Sequence, residues 1–347
     1  MKPSTIPILA NDEHGKPHDI IDASRELFGQ YGSYVADDGL INAANTALGL
    51  ELPLLLTGEP GCGKSDFAWV AAKALGHEKP LSCYIRSDTR ARDLLYHYDA
   101  LGRFGDAQHG DPTRAKDPRN YVRLRPLGVA LMTAAPRQVV LIDEIDKAPR
   151  DLPNDLLREL DEGHFEIAEI DATHKDDKFD EEYTAIALRR QMQRPEARKP
   201  LIIITSNAER QLPEPFLRRC IFYHIPTPDE PRLLEIAKRR FPGRQGPLTT
   251  SLASVFFALR QHAEQSQLAK PPTTSEMIAW IKALTAVYDP ADVQAKIAVF
   301  AEALALPQNG KKLPPGGPSW ASLPGISVLI KLKEDLSALG HGRANPG

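Results

Sequence analysis

The sequence lacks a surplus of charge of either sign. Its 347 residues include 43 Lys and Arg against 46 Asp and Glu, which gives a formal net charge of −3. A protein that binds nucleic acid or an anionic membrane over a broad surface needs a basic excess. We therefore expect neither nucleic acid nor membrane to be the main partner.

Cysteines and long apolar runs are also scarce. Cys62, Cys83 and Cys220 are odd in number, far apart, and not accompanied by histidines at zinc spacing. This pattern argues against a disulfide framework and a zinc site, and it favours a reducing, cytoplasmic compartment. No run approaches the ~18 apolar residues of a membrane span, and the N-terminus is too polar for a signal peptide.

Short apolar runs alternate with helix-like segments through the first two thirds of the chain. Runs of this kind, without strict alternation, are typical of strands that are covered on both faces. The alternation predicts an α/β fold with a doubly wound, mostly parallel sheet. The predicted strands are 53–57, 81–85, 139–142, 201–205 and 221–225, and the predicted helices are 65–75, 127–134 and 152–160.

From residue 227 onward only helical periodicity remains. We therefore predict an α/β domain over residues 1–226, with an N-terminal extension over 1–34, and a smaller helical domain over 227–305. Residues 306–347 are predicted to be a Pro/Gly linker and a short helical segment. The helices of the smaller domain are expected at 231–240, 248–263, 275–287 and 290–305, and loop-like stretches at 102–120 and 171–185.

A glycine-rich turn follows the first apolar run. It reads Gly58-Glu59-Pro60-Gly61-Cys62-Gly63-Lys64-Ser65 and matches G-x-x-x-x-G-K-[ST] between a predicted strand and a predicted helix. Its glycines let backbone N–H groups surround an anion, and the helix N-terminus adds its dipole. Lys64 is expected to reach the β- and γ-phosphates of a nucleotide, and Ser65 to bind Mg²⁺. Asp66 completes the predicted nucleotide-binding set.

The stretch VVLIDEID supplies a second motif. Four apolar residues precede Asp143 and Glu144, which places both carboxylates at the carboxyl end of a predicted strand. Ligands of parallel sheets bind at such ends. Asp143 is expected to orient Mg²⁺, and Glu144 to polarise an attacking water, which favours a hydrolase over a kinase.

Polar residues also lie beside the fourth and fifth predicted strands. Asn207 follows strand 201–205; its amide can hydrogen-bond both the water and the γ-phosphate, or it belongs to a simple turn. Arg218 and Arg219 precede strand 221–225. They are either a solvated helix end or arginine fingers that reach the nucleotide of a neighbouring subunit.

With these motifs the chain resembles an AAA+ ATPase, and more narrowly the MoxR group, which includes the CbbQ/NorQ/GvpN-type proteins. The resemblance rests on GEPGCGKS, LIDEIDKAPRDLPNDLLREL and ITSNAERQLPEPFLRRC. It implies a P-loop NTPase fold with a five-stranded parallel sheet and a helical lid, ATP with Mg²⁺, and a homo-oligomeric ring, usually a hexamer. It also implies Asn207 as a sensor, Arg219 assisted by Arg218 as the finger, and a protein partner, possibly one with a von Willebrand A domain, that the ring remodels or activates.

The sequence departs from this group at two places. The lid of the group usually carries a Ser-Pro-Arg-like second sensor, whereas the matching stretch LAKPPTTSEMIAWIKAL has no arginine. Lys270 is the nearest cation and is expected to substitute for it. The charged stretch 171–198 lies where such proteins carry a hairpin, and it is longer than the hairpin of the group. Tyr121 lies where the family faces the pore, so it either grips a partner or packs in the core.

Three functions remain open at this level. The first is a ring-forming ATPase that acts on a protein partner, which Glu144 and Arg219 favour. The second is a nucleotide-gated switch that hydrolyses slowly. The third is a GTPase or nucleic-acid motor subunit of the kind found in restriction complexes. The lack of a basic excess argues against direct nucleic-acid contact, and the lack of an Asn-Lys-x-Asp motif favours ATP over GTP.

Overall fold

The computed structural model describes residues 34–133, 137–171, 199–242, 247–287, 289–305, 313–314 and 316–340, and the backbone of 10–11 and 17–18. The packing of the chain separates two compact units. Among the described residues, the first unit consists mainly of 36–58 and 64–225, and the second of 34–35, 59–63 and 226–340. Each unit has its own apolar core.

A five-stranded parallel sheet forms the centre of the first unit, as expected. The described strands are β1 (Ala10–Asn11), β2 (Pro17–His18), β3 (Leu54–Gly58), β4 (Leu81–Tyr84), β5 (Tyr96–Tyr98), β6 (Val122–Leu124), β7 (Val139–Asp143), β8 (Leu201–Thr205) and β9 (Ile221–Ile225). The order in the sheet is β4-β7-β8-β3-β9. The pairs β1–β2 and β5–β6 are antiparallel.

The inner strands of the sheet, β3, β7 and β8, are mostly apolar because both of their faces are covered. Leu54, Leu55 and Leu56 of β3 have no exposed surface, and all five residues of β8 are buried. This burial explains why the sequence shows continuous apolar runs instead of alternation. The five predicted strands are confirmed, each within one residue of its predicted ends.

Helices surround the sheet in the first unit. They are α1 (Asp38–Leu50), α2 (Lys64–Ala74), α3 (Ala91–Leu95), α4 (Ala100–His109), α5 (Pro112–Lys116), α6 (Pro126–Met132), α7 (Leu152–Asp155), α8 (Leu157–Glu162), α9 (Ala168–Asp171) and α10 (Glu214–Leu217). The helices predicted at 65–75 and 127–134 correspond to α2 and α6. The helix predicted at 152–160 is instead two short helices that meet at Leu156, and the second ends at Gly163, whose φ is 71°.

The loop predicted over residues 102–120 is wrong. This stretch contains most of α4, all of α5 and part of the 3₁₀ helix Pro118–Tyr121. The side chains of Asp99, Asp111 and Asp117 accept hydrogen bonds from the backbone N–H groups that open these helices. Asp111 and Asp117, which contributed to the loop prediction, are therefore helix caps.

Tyr121 packs in the core of the first unit. It is 3% exposed, and its hydroxyl donates a hydrogen bond to Asp106. Burial, followed by this hydrogen bond, raises the pKa of Tyr121 to about 12. Of the two alternatives for Tyr121, the structure supports core packing.

The second unit is helical among its described residues. Its helices are α11 (Glu230–Arg240), α12 (Pro247–Gln265), α13 (Thr274–Val287), α14 (Pro290–Ala305), α15 (Ile326–Leu329) and α16 (Lys333–Gly340). The four lid helices predicted from periodicity correspond to α11 to α14. Asp229 caps α11 by accepting a hydrogen bond from the backbone of Arg232. Trp280, Phe256 and Trp320 are among the largest side chains in this core.

Several predicted features lie outside the described residues. These are most of the N-terminal extension, residues 172–198 of the charged stretch, and residues 306–312 of the Pro/Gly linker. Among the described residues, no helix combines the length and the apolar character that crossing a bilayer requires.

Candidate nucleotide-binding site

The order of the strands brings the predicted site residues of the first unit together. Strand β8 lies between β3 and β7, with Thr205 level with Leu56 and Ile204 level with Ile142. Because the strands are parallel, the residues that come after β3, β7 and β8 all emerge at the same edge of the sheet. The phosphate loop (residues 58–65), the Asp-Glu pair and Asn207 come after these three strands.

The phosphate loop adopts a conformation that only glycine takes readily. Gly58, Gly61 and Gly63 have φ values of 145°, 73° and 97°, in the region that L-residues with a Cβ rarely occupy. Lys64, the first residue of α2, is 7% exposed, and its ammonium donates to the carbonyl oxygen of Gly58 over 2.9 Å. The lysine folds back along the loop and holds its positive charge at the loop's opening residue.

Asp143 is held by two hydroxyl groups. Ser65 Oγ and Thr205 Oγ1 each donate to Asp143 Oδ1 over 2.7 Å. The Thr205 hydroxyl also accepts from the backbone N–H of Glu144 over 2.9 Å. Thr205, 1% exposed, therefore fixes the carboxylate of one acidic residue and the backbone of the next.

Glu144 lies in a strained backbone conformation. Its φ of 59° and ψ of 52° are left-handed values that are uncommon for a residue other than glycine. Such strain is concentrated at functional sites. Its carboxylate accepts from Lys147 Nζ over 2.5 Å and lies 3.5 Å from Asn207 Nδ2. The hydrogen bond to Glu144 raises the pKa of the Lys147 ammonium, so Lys147 stays charged at neutral pH.

The turn that carries Asn207 is anchored to a buried carboxylate. Asp146 is 3% exposed, and its Oδ2 accepts from the backbone N–H groups of Asn207 and Glu209 over 3.2 and 3.1 Å. Between them, Ala208 has a φ of 58°, and its N–H donates to Ser206 Oγ. Asn207 therefore projects from a fixed turn, beside the carboxylate of Glu144.

The side chains at this edge fit Mg²⁺ bound to nucleotide. Ser65 and Asp143 are hard oxygen ligands that already lie in contact, and Mg²⁺ commonly binds through one or two such groups plus phosphates and waters. Among the residues that the structure describes, no cluster of three or more His, Cys, Asp or Glu could hold a metal ion. These donors therefore resemble a site that shares its metal ion with phosphates and waters more than a site made of protein ligands alone.

The two predicted finger arginines pair with other carboxylates of the first unit. Arg219 Nε lies 2.5 Å from Asp161 Oδ2, with 44% of its side chain exposed. Arg218 pairs with Glu214 one turn earlier and is 76% exposed. The structure thus brings together Lys64, Ser65, Asp143, Glu144 and Asn207, while Arg218 and Arg219 are surface residues of the same unit.

Residues 59–63 of the phosphate loop pack with helices of the second unit. A Cβ on Gly61 would lie 2.2 Å from Ser275 Oγ, and one on Gly63 would lie 2.9 Å from the ring of Tyr34. Glu59 pairs with Arg260 of α12. Lys270, the predicted substitute for the second sensor, is 54% exposed, and its ammonium lies 4.0 Å from Glu276.

The sequence analysis assigned no site role to three residues that the structure places at these strand ends, nor to Arg260 of the second unit. Thr205 and Asp146 lie within the quoted motifs, and their position at strand ends was a usable signal. Lys147 comes three residues after Glu144, and a turn brings the two into contact. Arg260 is 201 residues from Glu59, and no local pattern could have indicated their pairing.

Comparison with known proteins supports a nucleotide-binding fold. Residues 53–220 match the family model of the AAA domain, dynein-related subfamily. No curated protein matches the chain. One similar solved structure is that of a "putative ATPase" from Cytophaga hutchinsonii, at 16% identity over 80% of this chain and 83% of that one, with a TM-score of 0.37. A likeness at that score says nothing about function. The sheet and the phosphate loop agree with this family match, so residues 53–220 have the fold of an AAA-type P-loop domain.

Proposed function

We propose that this protein binds ATP with Mg²⁺ and hydrolyses it at the edge of the sheet. The observation that carries the proposal is the hydrogen-bonded group Ser65, Asp143 and Thr205, with Glu144 next to it. Lys64 and the loop's backbone N–H groups bind the phosphates, and Ser65 and Asp143 hold the metal. Bound Mg²⁺ neutralises phosphate charge and orients the phosphates.

Glu144 is the proposed general base. Its carboxylate is 40% exposed, so water can reach it, and it belongs to the rigid end of β7. It accepts a proton from the attacking water, while the amide of Asn207 holds that water or the γ-phosphate in line. The left-handed backbone of Glu144 fixes the direction in which the carboxylate points.

The finer proposal is a ring ATPase of the MoxR type. Arg219, with Arg218 beside it, supplies positive charge to nucleotide that a neighbouring subunit holds, which requires a homo-oligomer, most simply a hexamer. The exposure of both side chains supports this role, because surface ion pairs of this kind are worth at most about 1 kcal/mol and exchange partners easily. The ring would act as a chaperone-like remodeller of a protein partner, for example one with a von Willebrand A domain.

A second candidate is a nucleotide-gated switch with slow turnover. The contact between Lys147 and Glu144 favours this candidate. The Lys147 ammonium occupies the Glu144 carboxylate and competes with the attacking water, whose proton the carboxylate must accept. Nucleotide binding would then change the conformation of the protein, and hydrolysis would only return it to the starting conformation. A GTPase or nucleic-acid motor has no comparable support among the described contacts.

The experiment compares wild type with Lys64→Ala. Calorimetry with Mg-ATP should show binding that the variant loses, since charge-assisted contacts are each worth about 1.5–3 kcal/mol. Phosphate release from ATP and from GTP, with and without the products of neighbouring genes, then separates a partner-stimulated ATPase from a slow switch. Wild-type affinity in Lys64→Ala would overturn the assignment of the phosphate loop.

A further inference from the structure

Arg260 is a buried charge in the helical core of the second unit. It lies on α12, and 3% of its side chain is exposed. Its Nη2 donates to Glu59 Oε2 over 2.5 Å, and its Nε donates to Glu264 Oε1 over 3.1 Å. Both carboxylates are about half exposed, at 45% and 51%. The arginine therefore brings a buried cation to an exposed residue of the phosphate loop.

This arrangement is a costly way to stabilise a helix bundle. Nη1 of Arg260 is buried and has no hydrogen-bond partner among the described residues. An unsatisfied buried donor costs about 1–3 kcal/mol, and replacing a buried ion pair by apolar residues of similar volume is often neutral or stabilising. Stability of the bundle alone does not explain an arginine at this position.

The contact acts on the part of the phosphate loop that sets its shape. Glu59 comes directly after Gly58, and its carbonyl oxygen accepts from the N–H of Cys62 over 3.2 Å, which closes the turn of the loop. Two residues later, Gly61 leaves no room for a Cβ against Ser275. Fixing the side chain of Glu59 therefore restrains the turn whose N–H groups would face the phosphates.

We propose that Arg260 is a positioning residue for nucleotide binding. It acts through Glu59 and holds the phosphate loop in its binding conformation before nucleotide arrives. Preorganisation of this kind raises affinity because less conformational freedom is lost on binding. The inference rests on the proposed function, since it requires that the loop binds ATP.

The test measures nucleotide affinity and stability in the same variants. Arg260→Met keeps the volume of the side chain and removes its charge. The proposal predicts that a fluorescent ATP analogue with Mg²⁺ binds about tenfold more weakly, as the loss of a hydrogen bond between charged groups implies. The melting temperature without nucleotide should stay at or above the wild-type value. Glu59→Gln, on an exposed residue, should weaken binding in the same direction.

Two further variants make the result specific. Glu264→Gln removes the other carboxylate of the same guanidinium and should leave affinity unchanged. The double variant Glu59→Gln/Arg260→Met should bind no more weakly than Arg260→Met alone, because the two act through one contact. Wild-type affinity in both single variants overturns the proposal. If Arg260→Met fails to fold, Glu59→Gln decides. Loss of binding in Lys64→Ala, but in neither of these, would refute the inference and leave the proposed function intact.

Discussion

The carboxyl ends of β7 and β8 and the turn before β9 both carry charged groups, but they hold them in different ways. At the strand ends, Asp143 accepts hydrogen bonds from the hydroxyl groups of Ser65 and Thr205, which lie on separate elements, and Thr205 is almost fully buried. In the turn at residues 213–220, Arg218 and Arg219 are 76% and 44% exposed, and each has a carboxylate partner at the surface.

The difference separates groups that work within one chain from groups that are available to another. Hydrogen bonds across two strands leave Asp143 and Glu144 little freedom, which suits a metal ligand and a base. An exposed ion pair is weak, so a long arginine side chain can leave Asp161 for a stronger anion. In the ring that we propose, a triphosphate on a neighbouring subunit would be such an anion.

The largest expected effect comes from the turn. Arg219→Ala should bind Mg-ATP as the wild type does, yet lose about 10³ to 10⁵ in hydrolysis rate, the usual worth of an arginine supplied to another subunit's nucleotide. Calorimetry and steady-state phosphate release measure the two quantities. Hydrolysis by the wild type should also rise more steeply than linearly with protein concentration, because monomers have incomplete sites.

Mixing two inactive variants sharpens this prediction. Arg219→Ala keeps Lys64 and Glu144, and Glu144→Gln keeps its arginine. In a mixed assembly some sites combine an intact base with an intact arginine, so activity should partly return. If light scattering shows that mixed assemblies form and they are still inactive, Arg219 does not act on the nucleotide of a neighbouring subunit.

A smaller effect is expected from the buried hydroxyl at the strand end. Thr205→Val keeps the shape of the side chain but leaves the N–H of Glu144 without its acceptor, which costs about 1–3 kcal/mol of unfolding free energy. Freed from one hydroxyl, Asp143 should hold Mg²⁺ about tenfold more weakly, as for other residues that orient a metal ligand. Urea unfolding and Mg²⁺ titration of ATP binding measure both effects.

Thr57→Val is the matched control for this variant. Thr57 is also a buried residue near the end of a strand of the same sheet, and its hydroxyl contacts His224 over 3.1 Å. Its loss should affect unfolding alone. An equal change in Mg²⁺ dependence in the two variants would show that Thr205 has no special relation to Asp143.

The smallest effect concerns the three thiols. Burial raises the pKa of Cys83 and of Cys220 to about 12, so at pH 8 neither has an appreciable thiolate fraction to react with a thiol reagent. Cys62 is partly exposed in the phosphate loop. A thiol reagent should therefore label Cys62 first, and Mg-ATP should slow that labelling. Equal labelling with and without nucleotide would argue against ATP at the loop; Cys62→Ser identifies the site.

The grouping of candidate site residues after β3, β7 and β8 was predictable, because local sequence patterns and the topology of a parallel sheet are enough to locate these residues. Apolar runs predicted β3, β7 and β8, and in a parallel sheet the residues after each strand emerge at one edge. Lys64, Asp143, Glu144 and Asn207 could therefore be assigned to a common site without knowledge of their contacts. The helices α11 to α14 were likewise predicted from periodicity alone.

Long-range pairing and helix capping were not predictable in this way. The contact between Arg260 and Glu59 joins residues 201 positions apart, so no local pattern encodes it. In residues 102–120, Asp and Gly indicated a loop, but Asp111 and Asp117 cap short helices, and Asp99, just before this stretch, caps another. The same side chain satisfies a turn or opens a helix, and only the surrounding packing decides between them.

The most direct test of the proposed chemistry is to identify the nucleotide that stays bound to the Glu144→Gln variant. Gln keeps the size of Glu but cannot accept a proton, so this variant should bind Mg-ATP with wild-type affinity and hydrolyse it at least about 10²-fold more slowly. After incubation with Mg-ATP and removal of free nucleotide, chromatography of the bound fraction should show ATP in the variant and ADP in the wild type. ADP formed by the variant at the wild-type rate would contradict the assignment of Glu144 as the base.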